Sequence, residues 1–171
     1  MNKRDIVDFW ANCHDGAQLL AFCAEIGMPR LLLTKAAIRC ASRALALISG
    51  VQQPQAAIRA AEKWVKHPTA ENAVAAANAA WAAETVTTAG EPGAVSATVD
   101  AARSAAGEIM HSPHAASMYL TLGRSYAALA AHDTARAFIA NGCDRDKAKR
   151  KCADDVRQII HLEDIAAELD G

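Results

Sequence analysis

Neither sign of charge dominates this sequence. Eighteen basic and nineteen acidic side chains leave a net charge of −1, so no bulk field steers the chain toward nucleic acid or an anionic membrane. There is no GxxxxGK[ST] and no GxGxxG, and the glycines stand singly in turns; nucleotide hydrolysis therefore has no phosphate-binding loop to work with. CxxC pairs are missing too. Cys13, Cys23, Cys40, Cys143 and Cys152 are an odd number at wide spacings, which suits reduced, mostly buried thiols better than a disulfide framework. No run of strongly apolar residues is long enough to cross a membrane, and in the opening MNKRDIVDFW the acids Asp5 and Asp8 fall where a secretory signal needs apolar residues. The expected location is cytoplasmic, with no membrane partner. Alternating β-branched and polar residues between hairpin turns are also absent, and TVTTAG at 85–90 is too short to count. Strand content is expected to be near zero.

What the sequence has in abundance is alanine, most densely in AENAVAAANAAWAAETVTTAG at 70–90. Alanine has the highest helix propensity and no side-chain entropy to lose, so such segments are helical at little cost. Glycine and proline cut the chain into pieces of helical length at 26–29, 49–54, 66–69, 89–93, 111–113 and 140–144. Within the pieces the apolar period is close to that of a helix. Phe9, Trp10, Cys13, Ala17 and Leu20 share one face, with Asp15-Gly16 as a kink or break. Ile38, Ala41, Leu45 and Ile48 share another, and so do Ile58, Ala61, Trp64 and Val65 behind a first-turn Pro54. On the alanine helix Thr69 is the expected N-cap, and Val74, Ala77 and Trp81 form the expected buried stripe. Later helices show Val95, Val99, Ala102 and Ala106, then Ser112-Pro113 as a start with a possible interruption at His132-Asp133, then an Asp144 cap with Ala148, Cys152, Val156 and Ile159 inward. The expected fold is all-α: one domain over 1–171, an antiparallel bundle of about six to eight helices. Alanine allows close axes, and Trp10, Trp64 and Trp81 are expected to fill the wider gaps.

Chemistry is sparse on this scaffold. HSPH places His111 and His114 across a helix start with a proline between them, and no carboxylate follows at helical spacing to complete a site with His132. They read as surface or capping histidines, and no metal or cofactor is expected. In NCHDG, Cys13, His14 and Asp15 are neighbours that point about 100° apart on a helix, which does not make a triad. The pairs Asp154-Asp155 and Glu163-Asp164 read as solvated charge, and DRDKAKRK at 144–151 as a solvated helix end, because acids flank it and no aromatic interleaves it. Nucleic acid is thus not an expected partner. Lys35, Arg39 and Arg43 form a cleaner basic stripe at steps of four. Asn78 lies one turn after Val74 on the face expected to be buried, where its carboxamide needs partners.

From IRCASRALALI through PQAAIRAAEKWVKHPTAENAVAAANAAWAA to VDAARSAAGEIMHSPHAASMY, the order of features resembles that of the immunity proteins found with bacterial polymorphic toxins. That family's Cys-Ala-x-Arg segment is matched by Cys40, Ala41 and Arg43. Its Ala-Ile-x-Ala-Ala-x-x-Trp segment is matched by Ala57, Ile58, Ala60, Ala61 and Trp64. The N-terminal portion has no counterpart there, and the later histidines are thinned to His111, His114 and His132. The resemblance implies a role without catalysis, namely binding and neutralising another protein, and supplies no catalytic residue. A phage-encoded inhibitor of a bacterial defence complex, of the anti-CRISPR type, fits the same scaffold. Candidate partner-binding residues are Asp5, Asp8 and Asp15, as phosphate mimics toward a basic nuclease, and Lys35, Arg39 and Arg43. Two other classes stay open: a small helical enzyme binding metal or ligand through His111, His114 and His132, and a homodimer packed through alanine-lined faces.

Overall fold

Each helix ends where glycine, proline or a capping side chain makes continuation costly. The computed structural model describes residues 3–48, 50–85, 92–107 and 126–170. Among these residues there are nine helices and no strand: α1 (Lys3–Asn12), α2 (Gly16–Glu25), α3 (Arg30–Leu45), α4 (Gln52–Lys66), α5 (Ala70–Glu84), α6 (Pro92–Ala106), α7 (Tyr126–Ala140), α8 (Arg145–Arg157) and α9 (Leu162–Asp170). The all-α expectation holds. The count exceeds the expected range by one because the Asp15-Gly16 break is complete and a short turn detaches α9.

The caps follow elementary hydrogen-bond supply. Asp15 accepts from the Ala17 amide at 3.0 Å, Thr69 from Asn72 at 3.2 Å and Asp144 from Lys147 at 3.0 Å, each satisfying one of the orphan donors of a first turn. Gly142 closes α7 in a left-handed conformation with φ of 80°, letting the Cys143 amide reach back to the Phe138 carbonyl at 2.9 Å. His132-Asp133 does not interrupt α7, which runs unbroken through both. The expected start at Ser112-Pro113 lies outside the described residues.

Helix α6 is the hub and packs against α3, α4, α5 and α7; α7 in turn packs against α2, α3 and α8. Every residue from Gly93 to Ala106 is buried except Ser96 and Arg103, which are half-buried. A helix enclosed on all sides must carry small side chains if four neighbours are to approach it, and alanine fills that need at 94, 97, 101, 102 and 105, all with no exposed surface. Its few polar groups are supplied internally or by neighbours. Thr98 Oγ1 donates to the Val95 carbonyl at 2.7 Å, and Ser104 shares a buried hydroxyl bond of 2.9 Å with Thr34 of α3. The α2–α8 contact is as close. A Cβ on Gly16 would sit 2.6 Å from the Cys152 carbonyl carbon, so only glycine fits there.

Larger side chains fill the periphery of the alanine core. Leu19, Leu20, Val156, Ile160 and Ile165 are fully enclosed. Trp10 and Trp64 are buried as expected, Trp64 with the Arg30 guanidinium 4.6 Å from its ring. The Arg157 side chain secures the end of α1 by donating to the carbonyls of Trp10 and Cys13. The five cysteines are free thiols, three buried and two half-buried. Burial pushes Cys23 up to about 12, and a hydrogen bond with Cys152, then burial, raises Cys40.

Helix α5 departs from expectation. Its buried face is Asn72, Ala73, Ala76, Ala77, Ala80 and Ala83, whereas Val74, Asn78 and Trp81 point to solvent. Of the expected stripe Ala77 is buried, while Val74 and Trp81 are corrected to exposed, as is Asn78. The close α5–α6 approach admits methyl groups and excludes an indole, so the helix turns its bulk outward. The buried carboxamide is Asn72 instead, whose Nδ2 donates to the His67 carbonyl at 2.7 Å.

Candidate functional site

Trp81 is 67% exposed and Val74 44%. They stand seven residues apart with Asn78 between them, a spacing that puts all three on one helical face. Ala75 and Ala82 lie exposed beside them, and Glu71 and Thr85 bound the patch at either end. Among the described residues the other exposed large apolar side chains, Val7, Ile139 and Leu162, are scattered over α1, α7 and α9. Isolated exposed aliphatics are ordinary on a globular surface, but an exposed indole leaves a large apolar area in water.

Of the expected basic stripe, Lys35 keeps its place on the surface while Arg39 and Arg43 bend over α8 to a carboxylate. Arg43 Nη2 donates to Asp155 Oδ1 at 2.8 Å while its Nε faces Oδ2, and Arg39 Nε adds a contact of 3.3 Å. Asp155 has no exposed surface, so the reading of Asp154-Asp155 as solvated is corrected for the second residue; the Asp154 side chain is 70% exposed. A buried carboxylate needs this bidentate clamp, since an uncompensated charge there is expensive. Arg43 is thereby a structural residue, and Arg39 is partly one. The signal was present in the spacing: residue 155 falls on the same face as Ala148 and Cys152, seven residues beyond the first.

The acidic trio is divided as well. Asp5 and Asp8 are exposed on α1, but Asp15 caps α2 and pairs with Lys149 of α8 at 2.6 Å. A side chain spent on two partners is not available as a phosphate mimic. His14 and His132 are exposed, and His111 and His114 lie outside the described residues. Among the described residues no three His, Cys, Asp or Glu side chains converge as a metal set, and no helix is long and apolar enough to cross a membrane.

A second buried acid site lies between α6 and α7. Asp100 and Asp133 are both buried, with arginines at the rim: Arg103 Nη1 stands 3.6 Å from Asp100 Oδ1 but gives its short bond, 2.7 Å, to Glu84, and Arg136 holds Asp133 at 3.0 Å. Burial first, then the Asp133 charge, pushes Asp100 up to about 7, against the pull of Arg103. Nothing in the sequence marked this pair, because Asp100 sits among alanines on a helix that has no solvent face.

No protein-family model, characterised protein or solved structure matches the chain.

Proposed function

We propose that this chain is a cytoplasmic, non-catalytic inhibitor that works by binding another protein, in the manner the immunity-protein resemblance implies, and that the α5 face carrying Trp81 is its contact surface. The exposed indole is the observation that supports this reading. Burying the exposed two thirds of a tryptophan, roughly 130 Å², against a partner is worth about 3 kcal/mol, and tryptophan is the residue type most enriched among interface hot spots. The surrounding alanines offer a flat surface into which a partner's larger side chains can pack. Asp5 and Asp8 remain secondary contacts for a basic partner. The alternative partner, a subunit of a bacterial defence complex, would be held by the same face.

The test is retention of a partner from the lysate of the native host at two salt concentrations, with wild type and Trp81→Ala side by side. Wild type is expected to retain one stoichiometric protein, and the variant to bind it about thirtyfold more weakly or worse, the loss of a hot spot of about 2 kcal/mol. The identity of the retained protein separates toxin neutralisation from defence inhibition. Equal retention by the variant would remove α5 from the interface.

A further inference from the structure

We infer that the cleft between α3 and α4 is a binding site for a small amphipathic anion, a carboxylate or phosphate monoester carried on an apolar body. The cleft is an open groove of about 370 Å³, enough room for a small ligand lying along it. Its floor is apolar, formed by Ile38 of α3, Val65 of α4 and Ile159 from the turn after α8. Its rim is cationic. Lys35 and Arg39 stand one turn apart on α3, and Lys66 faces them from α4 with Glu62 one turn before it.

Charge accounting favours an anion. Among the described residues Lys35, Lys66 and Glu62 enter no ion pair, while the deeper Asp155 is neutralised by Arg43. The cleft is lined by three cations (Lys35, Arg39, Lys66) and one carboxylate (Glu62), and the Arg43–Asp155 pair behind it adds no net charge, which leaves two positive charges in excess around the concavity. Arg39 already donates Nη2 to Gln158 Oε1 at 3.0 Å and Nε to Asp155 at 3.3 Å, so it adds positive charge to the rim while Lys35 and Lys66 supply the free donors. An inorganic anion would leave the Ile38, Val65 and Ile159 surface wet, and a neutral apolar molecule would leave the cations without a counter-charge. A ligand with a charged head and an apolar body answers both. The site does not involve α5 and stands apart from the partner-binding reading.

Isothermal titration of the full chain at low ionic strength tests this with octanoate, phenyl phosphate, 1-octanol and inorganic phosphate. Saturable binding of octanoate or phenyl phosphate is expected, the stronger of the two identifying the preferred head group. 1-Octanol and inorganic phosphate should each bind at least about tenfold more weakly, and added salt should weaken the amphipathic anions. Lys35→Ala combined with Lys66→Ala is expected to weaken them about tenfold, the sum of one half-buried and one exposed charge contact. If circular dichroism shows that double variant unfolded, Lys66→Glu at its exposed position takes its place, with the same loss expected. The proposal is overturned if neither amphipathic anion saturates, if 1-octanol matches octanoate, or if the folded variant binds unchanged.

Discussion

Asp100→Asn is expected to make the protein more stable above neutral pH and to flatten its pH profile. The carboxyl is raised from 3.8 to about 7 in the folded state, chiefly by burial and then by Asp133. Between those two values the folded protein holds a proton that the unfolded chain has released. Stability therefore falls as pH rises through this window and levels off above it. The gap corresponds to roughly 4 kcal/mol for a group this enclosed, an upper value because Arg103 can shift toward the ionised carboxylate. Asparagine keeps the shape and carries no charge. At pH 5 the unfolded chain has already released this proton while the folded protein holds it, so the variant should be ahead by about 1–2 kcal/mol; at pH 8.5, above both values, it should be ahead by about 3–4 kcal/mol. Urea unfolding of both proteins at the two pH values, with equal m-values, supplies the four free energies, and the difference between proteins removes every titration they share. Parallel profiles, or a wild type that gains stability between pH 5 and 8.5 relative to the variant, would refute the assignment.

Trp81→Ala should cost less than about 1 kcal/mol of stability, whereas Trp64→Ala, which empties a buried site and strands Arg30, should cost about 3–5 kcal/mol; thermal or urea unfolding of the pair reads both. Arg43→Ala should cost about 3 kcal/mol, the lower end for a broken buried pair because Arg39 still touches Asp155, and a urea midpoint equal to that of wild type would contradict the clamp.

Helix existence, most boundaries and three N-terminal devices (Pro54, Thr69 and Asp144) were legible in the sequence, because propensity and capping are local. The inward faces of α3, α4 and α8 were legible too, since charged residues there mark the opposite side. Helix α5 shows where the method fails. Periodicity assigns a phase only when apolar and polar residues alternate, and AENAVAAANAAWAAE is nearly uniform. Val74 and Trp81 then set the phase by their size, the wrong criterion against a partner helix that accepts only methyl groups. The candidate contact surface was thus hidden by the rule that large apolar residues go inside. Asp155 was hidden for a different reason: its neighbour Asp154 is solvated, and a pair of acids reads as one exposed feature when only one side chain faces water.

Among the described residues three acids are buried in the alanine core, and one of them, Asp155, bears on how the helices stay in register. Methyl groups packed on methyl groups define helix separation well but register poorly, since sliding one alanine helix along another exchanges one methyl contact for the next. Asp100, Asp133 and Asp155 are short enough to lie between closely spaced helices, but Arg103 and Arg136 reach Asp100 and Asp133 from three residues along the same helix, and only Asp155 takes its arginines from another helix. The Asp155 clamp joins α8 to α3 across more than a hundred residues of chain, and its bidentate geometry survives only in one register. Such a pair adds little net stability compared with a well-packed apolar substitute, so its value lies in excluding the neighbouring registers that alanine alone would tolerate. Arg43 and Arg39 therefore matter to the fold through position, and Lys35 and Lys66, which enter no ion pair among the described residues, are the cations on which the proposed anion site depends.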